Sequence, residues 1–180
     1  MGQSKNIILK RIAYGFSIMV LLLASFPSNA SAAQITPRRV TLGSSAPSAS
    51  TTYAFTFTVP SGTVLASASF TACTTASGAC STPTGFSVAS SSLTGQPTNL
   101  GDAAGWTVST ATAGSLRLSK AGNVAAPTGA QTVSFSGVVN PDALNSTFFL
   151  RMTTYSDASW TIPVDTGTVA ASTAGQITVT

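Results

Sequence analysis

The sequence predicts an all-β protein: a two-layer antiparallel β-sandwich, immunoglobulin-like or jelly-roll, preceded by an N-terminal signal helix. Three observations carry this. Residues 35–180 read as eight to ten short segments in which apolar residues alternate with Ser, Thr and Ala, the period of a strand with one buried face. Gly, Pro, Asn and Asp separate these segments at the spacing of a sandwich. Almost nothing in that span shows the 3.6-residue period of a helix.

The N-terminal segment fixes the compartment. Lys5, Lys10 and Arg11 form a positive n-region, and an uncharged apolar run from Ile12 to Phe26 follows. Pro27, Ser28 and Asn29 break that run, and Ala30-Ser31-Ala32 supplies the small residues a signal peptidase needs. The run is shorter than the roughly 20 residues a membrane-spanning helix requires. Residues 1–32 therefore read as a cleaved export signal rather than an anchor, with Ala33 as the new N-terminus. The predicted destination is extracellular or the cell surface, with membrane contact only through the signal if it stays uncleaved.

Taking 32 residues from 180 leaves 148 in the mature chain, the size of one domain spanning 33–180. The formal charge of +4 misleads, because three of its cations leave with the signal. Arg38, Arg39, Arg117, Lys120 and Arg151 then face Asp102, Asp142, Asp157 and Asp165, a net charge of +1. Nucleic-acid binding needs several clustered cations to neutralise phosphates, so that class is excluded. Charged residues are 7% of the chain, against about 25% in typical soluble domains. A surface of small polar residues repels copies of itself only weakly.

Strands are expected in order at 38–42, 51–60 and 63–73. In the second, Tyr53, Phe55, Phe57 and Val59 share a face; in the third, Val64, Ala66, Ala68 and Phe70 do. Residues 43–50 form a connector. Further strands are expected at 85–91, around Phe86 and Val88, at 105–110 and at 115–119, the last entered through a turn at 112–114. Then come 131–139, with Val133, Phe135 and Val139 on one face, and 147–155, with Phe148, Leu150 and Met152. Strands at 168–171 and 176–179 close the chain.

The chemistry is defined by what is missing. The sequence holds no His and no Glu, which removes Ser-His-Asp and Cys-His nucleophiles and the Glu-dependent metalloprotease motif. The four Asp lie apart, without the spacing of a calcium loop, and read as turn residues. No enzyme activity, cofactor or metal is expected. Cys73 and Cys80 are the only cysteines and, in an exported chain, most simply form one disulfide. Trp106 reads as core. Trp160 and Tyr155 form the candidate ligand-stacking platform, flat aromatic surface of the kind that binds sugars. Arg151 reads as an outward charge or the partner of an Asp, Lys120 as a hairpin-end charge, and Arg38 and Arg39 as a solvated strand edge.

TTYAFTFTVPSG at 51–62, FTAC at 70–73, CSTPTGFSV at 80–88, VSFSGVVNP at 133–141, STFFLRMTTYS at 146–156 and DTGTVAAST at 165–173 resemble secreted, function-unassigned β-sandwich surface proteins of bacteria. That resemblance implies a sandwich fold and extracellular placement, and carries over no catalytic residue. The expected function is a non-enzymatic secreted or cell-surface protein, structural or adhesive, whose partner is itself or another envelope component. The alternative is a carbohydrate-binding module that uses Tyr155 and Trp160 on a glycan.

Overall fold

Tyr53, Phe55 and Phe57 are wholly buried while Thr52, Ala54 and Thr56 between them keep contact with water, so this strand must roof a core. The computed structural model describes residues 32–175, and among them there is no helix. Ten strands occur in chain order: β1 (Ala33–Gln34), β2 (Arg38–Leu42), β3 (Ser50–Phe57), β4 (Ser67–Cys73), β5 (Ser92–Leu93), β6 (Thr107–Ser109), β7 (Ser115–Ser119), β8 (Gln131–Val139), β9 (Thr147–Tyr155) and β10 (Pro163–Ser172). They form a six-stranded sheet, β1-β10-β9-β4-β7-β6, and a four-stranded sheet, β2-β3-β8-β5. All pairings are antiparallel except β1 with β10.

Phe70 of β4 joins the two layers. Its ring lies 4.4 Å from Phe55, 5.5 Å from Phe135 and 5.9 Å from Phe57, all three in the opposite sheet. The tilted and edge-on geometries are those that aromatic quadrupoles favour. Tyr53, Phe86 and Phe148 continue the cluster toward the other end. The Tyr53 hydroxyl donates to Asn140 Oδ1 at 2.7 Å, and its burial raises the phenol above its ordinary range. Gln131 and Asn123 serve the interior similarly. Gln131 accepts from the Val59 amide and donates to Gly129 O, and Asn123 donates to Leu65 O.

Five expectations change. Residues 85–91 do not form a strand: turn hydrogen bonds from Phe86 to Pro83 and from Ser91 to Val88 replace the ladder, and one bridge joins Ser87 to Val139. Residues 63–66 also lie outside β4, where Asn123 draws Leu65 inward in place of Val64 and Ala66. In β8, Val138 is buried and Val139 is not, because the register slips between Thr51 and Tyr53. Gly137 sits in the slipped stretch at φ 72°, and a Cβ there would stand 2.4 Å from Ser90 O. The segment at 168–171 is part of a longer strand, β10. Asp165, expected in a turn, lies wholly buried within β10. The signal, its helix and the strand at 176–179 lie outside the described residues.

Candidate functional site

The outer face of the larger sheet is where loops, charges and aromatics converge. Register places Ser67, Ser69, Thr71 and Cys73 of β4 beside Tyr155, Thr153, Arg151 and Phe149 of β9. On the other side, Ser119, Arg117 and Ser115 of β7 line up with the first three. Alternation alone would leave these hydroxyls in water. Instead Ser67 is fully buried and Ser69 is 6% exposed. Two loops fold back over this face.

The first cover is the β9–β10 turn. Asp157 organises it, accepting from the amides of Ser159, Thr161 and Ile162 and from the Thr161 hydroxyl at 2.7–3.0 Å. Burial opposes ionisation of Asp157, but these donors outweigh it and hold the carboxyl below its ordinary range. The turn places Trp160 at φ 58°, half-buried, with its indole N–H donating to Leu118 O at 3.2 Å. The Arg117 guanidinium carbon lies 5.3 Å from the Trp160 ring centroid, within cation–π reach. Ser67 completes the cover by donating to Asp157 O at 2.6 Å. Tyr155, also half-buried, shares a hydrogen bond with Ser69 Oγ at 3.2 Å. The structure therefore sets Trp160 and Tyr155 at the same end of one sheet face, each with its polar atom engaged.

The second cover follows β4. Cys73 and Cys80 form the expected disulfide. Arg151 holds the loop it closes: its guanidinium donates to Thr75 O, Thr75 Oγ1, Gly78 O and Ala79 O at 2.7–3.3 Å. Arg151 points outward, one of the two expectations for it, and its partners are main-chain carbonyls and a hydroxyl rather than an aspartate, the other. A guanidinium suits this role because its fixed fork reaches several carbonyls at once.

The remaining charges are dispersed. Lys120, at the end of β7 as expected, pairs with Asp102 at 3.1 Å and also donates to Ala104 O. The hydrogen bond from Lys120 holds Asp102 below the ordinary carboxylate range. Asp142 is exposed after Pro141. Arg39 is exposed on β2, whereas Arg38 turns back to donate to Thr168 O and Ile35 O, which corrects its reading as a solvated edge. Trp106 is core, 2% exposed, and donates to Asp102 O. Among the described residues no group of three or more Cys and Asp side chains is placed to hold a metal.

Sequence reasoning missed Arg117 and the loop clamp made by Arg151. Both are outward residues of central strands, and their partners come from loops distant in sequence.

No protein-family model matches the chain, and no curated protein does. Among solved structures it is similar to the sixth cohesin of scaffoldin B from Acetivibrio cellulolyticus, crystallised in complex with a dockerin. The two are 13% identical, with a TM-score of 0.33 over 74% of this chain and 97% of that chain. A superposition at that level assigns this chain no partner.

Proposed function

We propose that this chain is a non-enzymatic secreted or cell-surface protein, structural or adhesive, that works by contact and self-associates through β2. The disulfide fits an oxidising compartment. One observation carries the reading: β2 is the longest open edge. Among the described residues the other edge strands, β1, β5 and β6, have two, two and three residues, whereas β2 has five. The Gly43–Thr52 hydrogen bond sets the ladder phase, which turns the amides of Val40 and Leu42 away from β3. Such an edge is a template for a further strand. Beside it the outer face carries Thr41, Thr52, Ala54, Thr56, Thr132 and Ser134, uncharged and suited to close lateral packing, with the exposed Arg39 at its end opposite Thr56.

Light scattering on the full chain, produced in an exporting host, tests this. Oligomers should grow with concentration and disappear in Thr41→Lys, which adds a second exposed cation beside Arg39 on the edge while leaving the melting temperature unchanged. A monomer at every concentration overturns the reading.

A second reading is glycan stacking on Trp160 and Tyr155. It is favoured by the bracing of the indole against Arg117, which fixes a half-exposed ring. Titration with neutral oligosaccharides should then quench Trp160 fluorescence, and Trp160→Phe should remove the response.

A further inference from the structure

We propose that the pocket between Arg38 and Arg151 is a binding site for a carboxylated sugar, a uronate-type saccharide. It takes the Arg38 side chain from the start of β2 but not the edge amides of Val40 and Leu42, and it is separate from the Trp160 turn. Gln34, Arg38, Arg151, Met152, Thr153, Thr166, Gly167 and Thr168 line a cavity of about 360 Å³, inside the range of small-ligand sites.

Both guanidiniums are fixed without being neutralised. Arg38 is tied to the main chain through Nε on Thr168 O at 2.5 Å and Nη1 on Ile35 O at 2.7 Å. Thr168 is the ladder partner of Arg151, so Arg38 is anchored on the residue directly paired with the second cation. Arg151 is held by the disulfide loop, as described above. No carboxylate lines the cavity, and neither arginine belongs to an ion pair among the described residues. The nearest acid in sequence, Asp165, is buried and faces no hydrogen-bond donor of the pocket. The Arg38 Nη2 group has no protein partner in the described structure and remains a donor for an incoming oxygen.

The rest of the lining selects among anions. The Thr153 and Thr166 hydroxyls and the exposed Gln34 amide supply neutral donors and acceptors, while the Thr168 hydroxyl, which donates to Ala76 O, can still accept; a polyhydroxylated ring matches this mixed set better than a bare phosphate. Gly167 lets Arg38 lie close against β10, since a Cβ there would stand 3.1 Å from Arg38 Cδ and 3.0 Å from Ile35 Cβ. Arginine pairs with carboxylate through parallel N–H donors, which gives orientation as well as affinity.

The experiment is an NMR titration of the full chain, as recovered from an exporting host, with glucuronate, glucose and inorganic phosphate. Glucuronate should shift the amides of Thr153, Thr166 and Thr168 and bind at least about tenfold more tightly than either of the others, with added salt weakening it. Arg38→Gln should reduce glucuronate affinity by about tenfold or more. Should that variant not fold, Thr153→Val with Thr166→Val leaves both cations in place and should lower glucuronate affinity while leaving phosphate affinity unchanged. Glucose binding as tightly as glucuronate would overturn the assignment. Phosphate binding as tightly would leave a simple anion site, and overturn it too. Failure here with oligomers still sensitive to Thr41→Lys would remove this site and leave the β2 reading standing.

Discussion

The small Ser, Thr and Ala side chains on the outer faces of the two sheets meet opposite fates. On β3 and β8, Thr52, Ala54, Thr132 and Ser134 stay at least partly in water. On β4 and β7, Ser67, Ser69 and Ser115 are buried, each hydrogen-bonded to a loop or a neighbouring strand. Small hydroxyl side chains permit either outcome, because they lie flat enough for a loop to approach and supply the donors that such a loop needs. The difference lies in the loops. The β9–β10 turn and the disulfide loop reach back over the larger sheet, and Arg117 and Arg151 meet them there. The smaller sheet has no arginine at the centre of its outer face. One face is thus partly covered by the protein's own loops, which leave pockets between them, and the other stays bare.

The largest effect should come from uncoupling the two faces altogether. Phe70 touches three aromatic rings of the opposite sheet. Phe70→Ala would leave a cavity between the layers and cost about 3–5 kcal/mol. Chemical denaturation should show this as a lower midpoint. A loss below about 1 kcal/mol would mean that Phe70 does not join the sheets.

Next is the disulfide cover. The cysteines are seven apart in sequence, and closing that ring stabilises by about 2.5 kcal/mol on the loop-entropy estimate. Cys73→Ala with Cys80→Ala should lower stability by that order. Arg151→Lys should cost less, about 1–2 kcal/mol, since one ammonium cannot hold Thr75, Gly78 and Ala79 together. Limited proteolysis checks the contrast: both variants should be cut between residues 74 and 80, while Thr52→Lys on the bare face should not.

These covers mark the limit of what the sequence shows. Period-2 alternation reports which side of a strand meets the core, so β7 and β9 were legible to the residue, while β3 was drawn past its C-terminal end and the slip in β8 moved Val139 off the buried face. The cysteine pair was legible from compartment and count. Alternation carries no information about a loop returning over the far side, so the burial of Ser67 and Ser69 had no local signal. Residues 85–91 misled for a related reason: Phe86 and Val88 are buried as expected, but on turns rather than a strand. The partners that hold Trp160 and Tyr155, namely Arg117 and Ser69, had no local signal.

A third contrast is between these satisfied hydroxyls and one unsatisfied acid. Asp165 is fully buried, and neither carboxylate oxygen has a hydrogen-bond partner among the described residues. Only its main chain is satisfied, through the Thr154 hydroxyl at 3.1 and 3.4 Å. Desolvation raises its carboxyl above the ordinary range, and the Ser61 amide offsets part of that without forming a hydrogen bond of normal geometry. A raised folded-state value means the unfolded chain releases its proton first. Stability is therefore full below the unfolded aspartate range, about 3.9, and falls as pH rises through the folded value. Asp165→Asn should flatten this part of the stability profile and raise the melting temperature at neutral pH. An unchanged slope would mean that the carboxylate finds a partner in solution.

The smallest effect separates backbone from side chain within the Trp160 cover. Trp160 is held at φ 58°, a conformation costing a residue with a Cβ about 1–2 kcal/mol, in return for placing its ring against Arg117 and its N–H on Leu118 O. Those contacts contribute on the order of 1 kcal/mol each. Trp160→Ala loses them and keeps the strain, so it should destabilise by about 1–2 kcal/mol. Trp160→Gly loses the same contacts but is free of the strain and should recover about 1 kcal/mol relative to Ala. Equal stabilities for the two variants would show that the turn relaxes once the indole is gone, and that Arg117, rather than the Asp157 hydrogen bonds, sets its conformation.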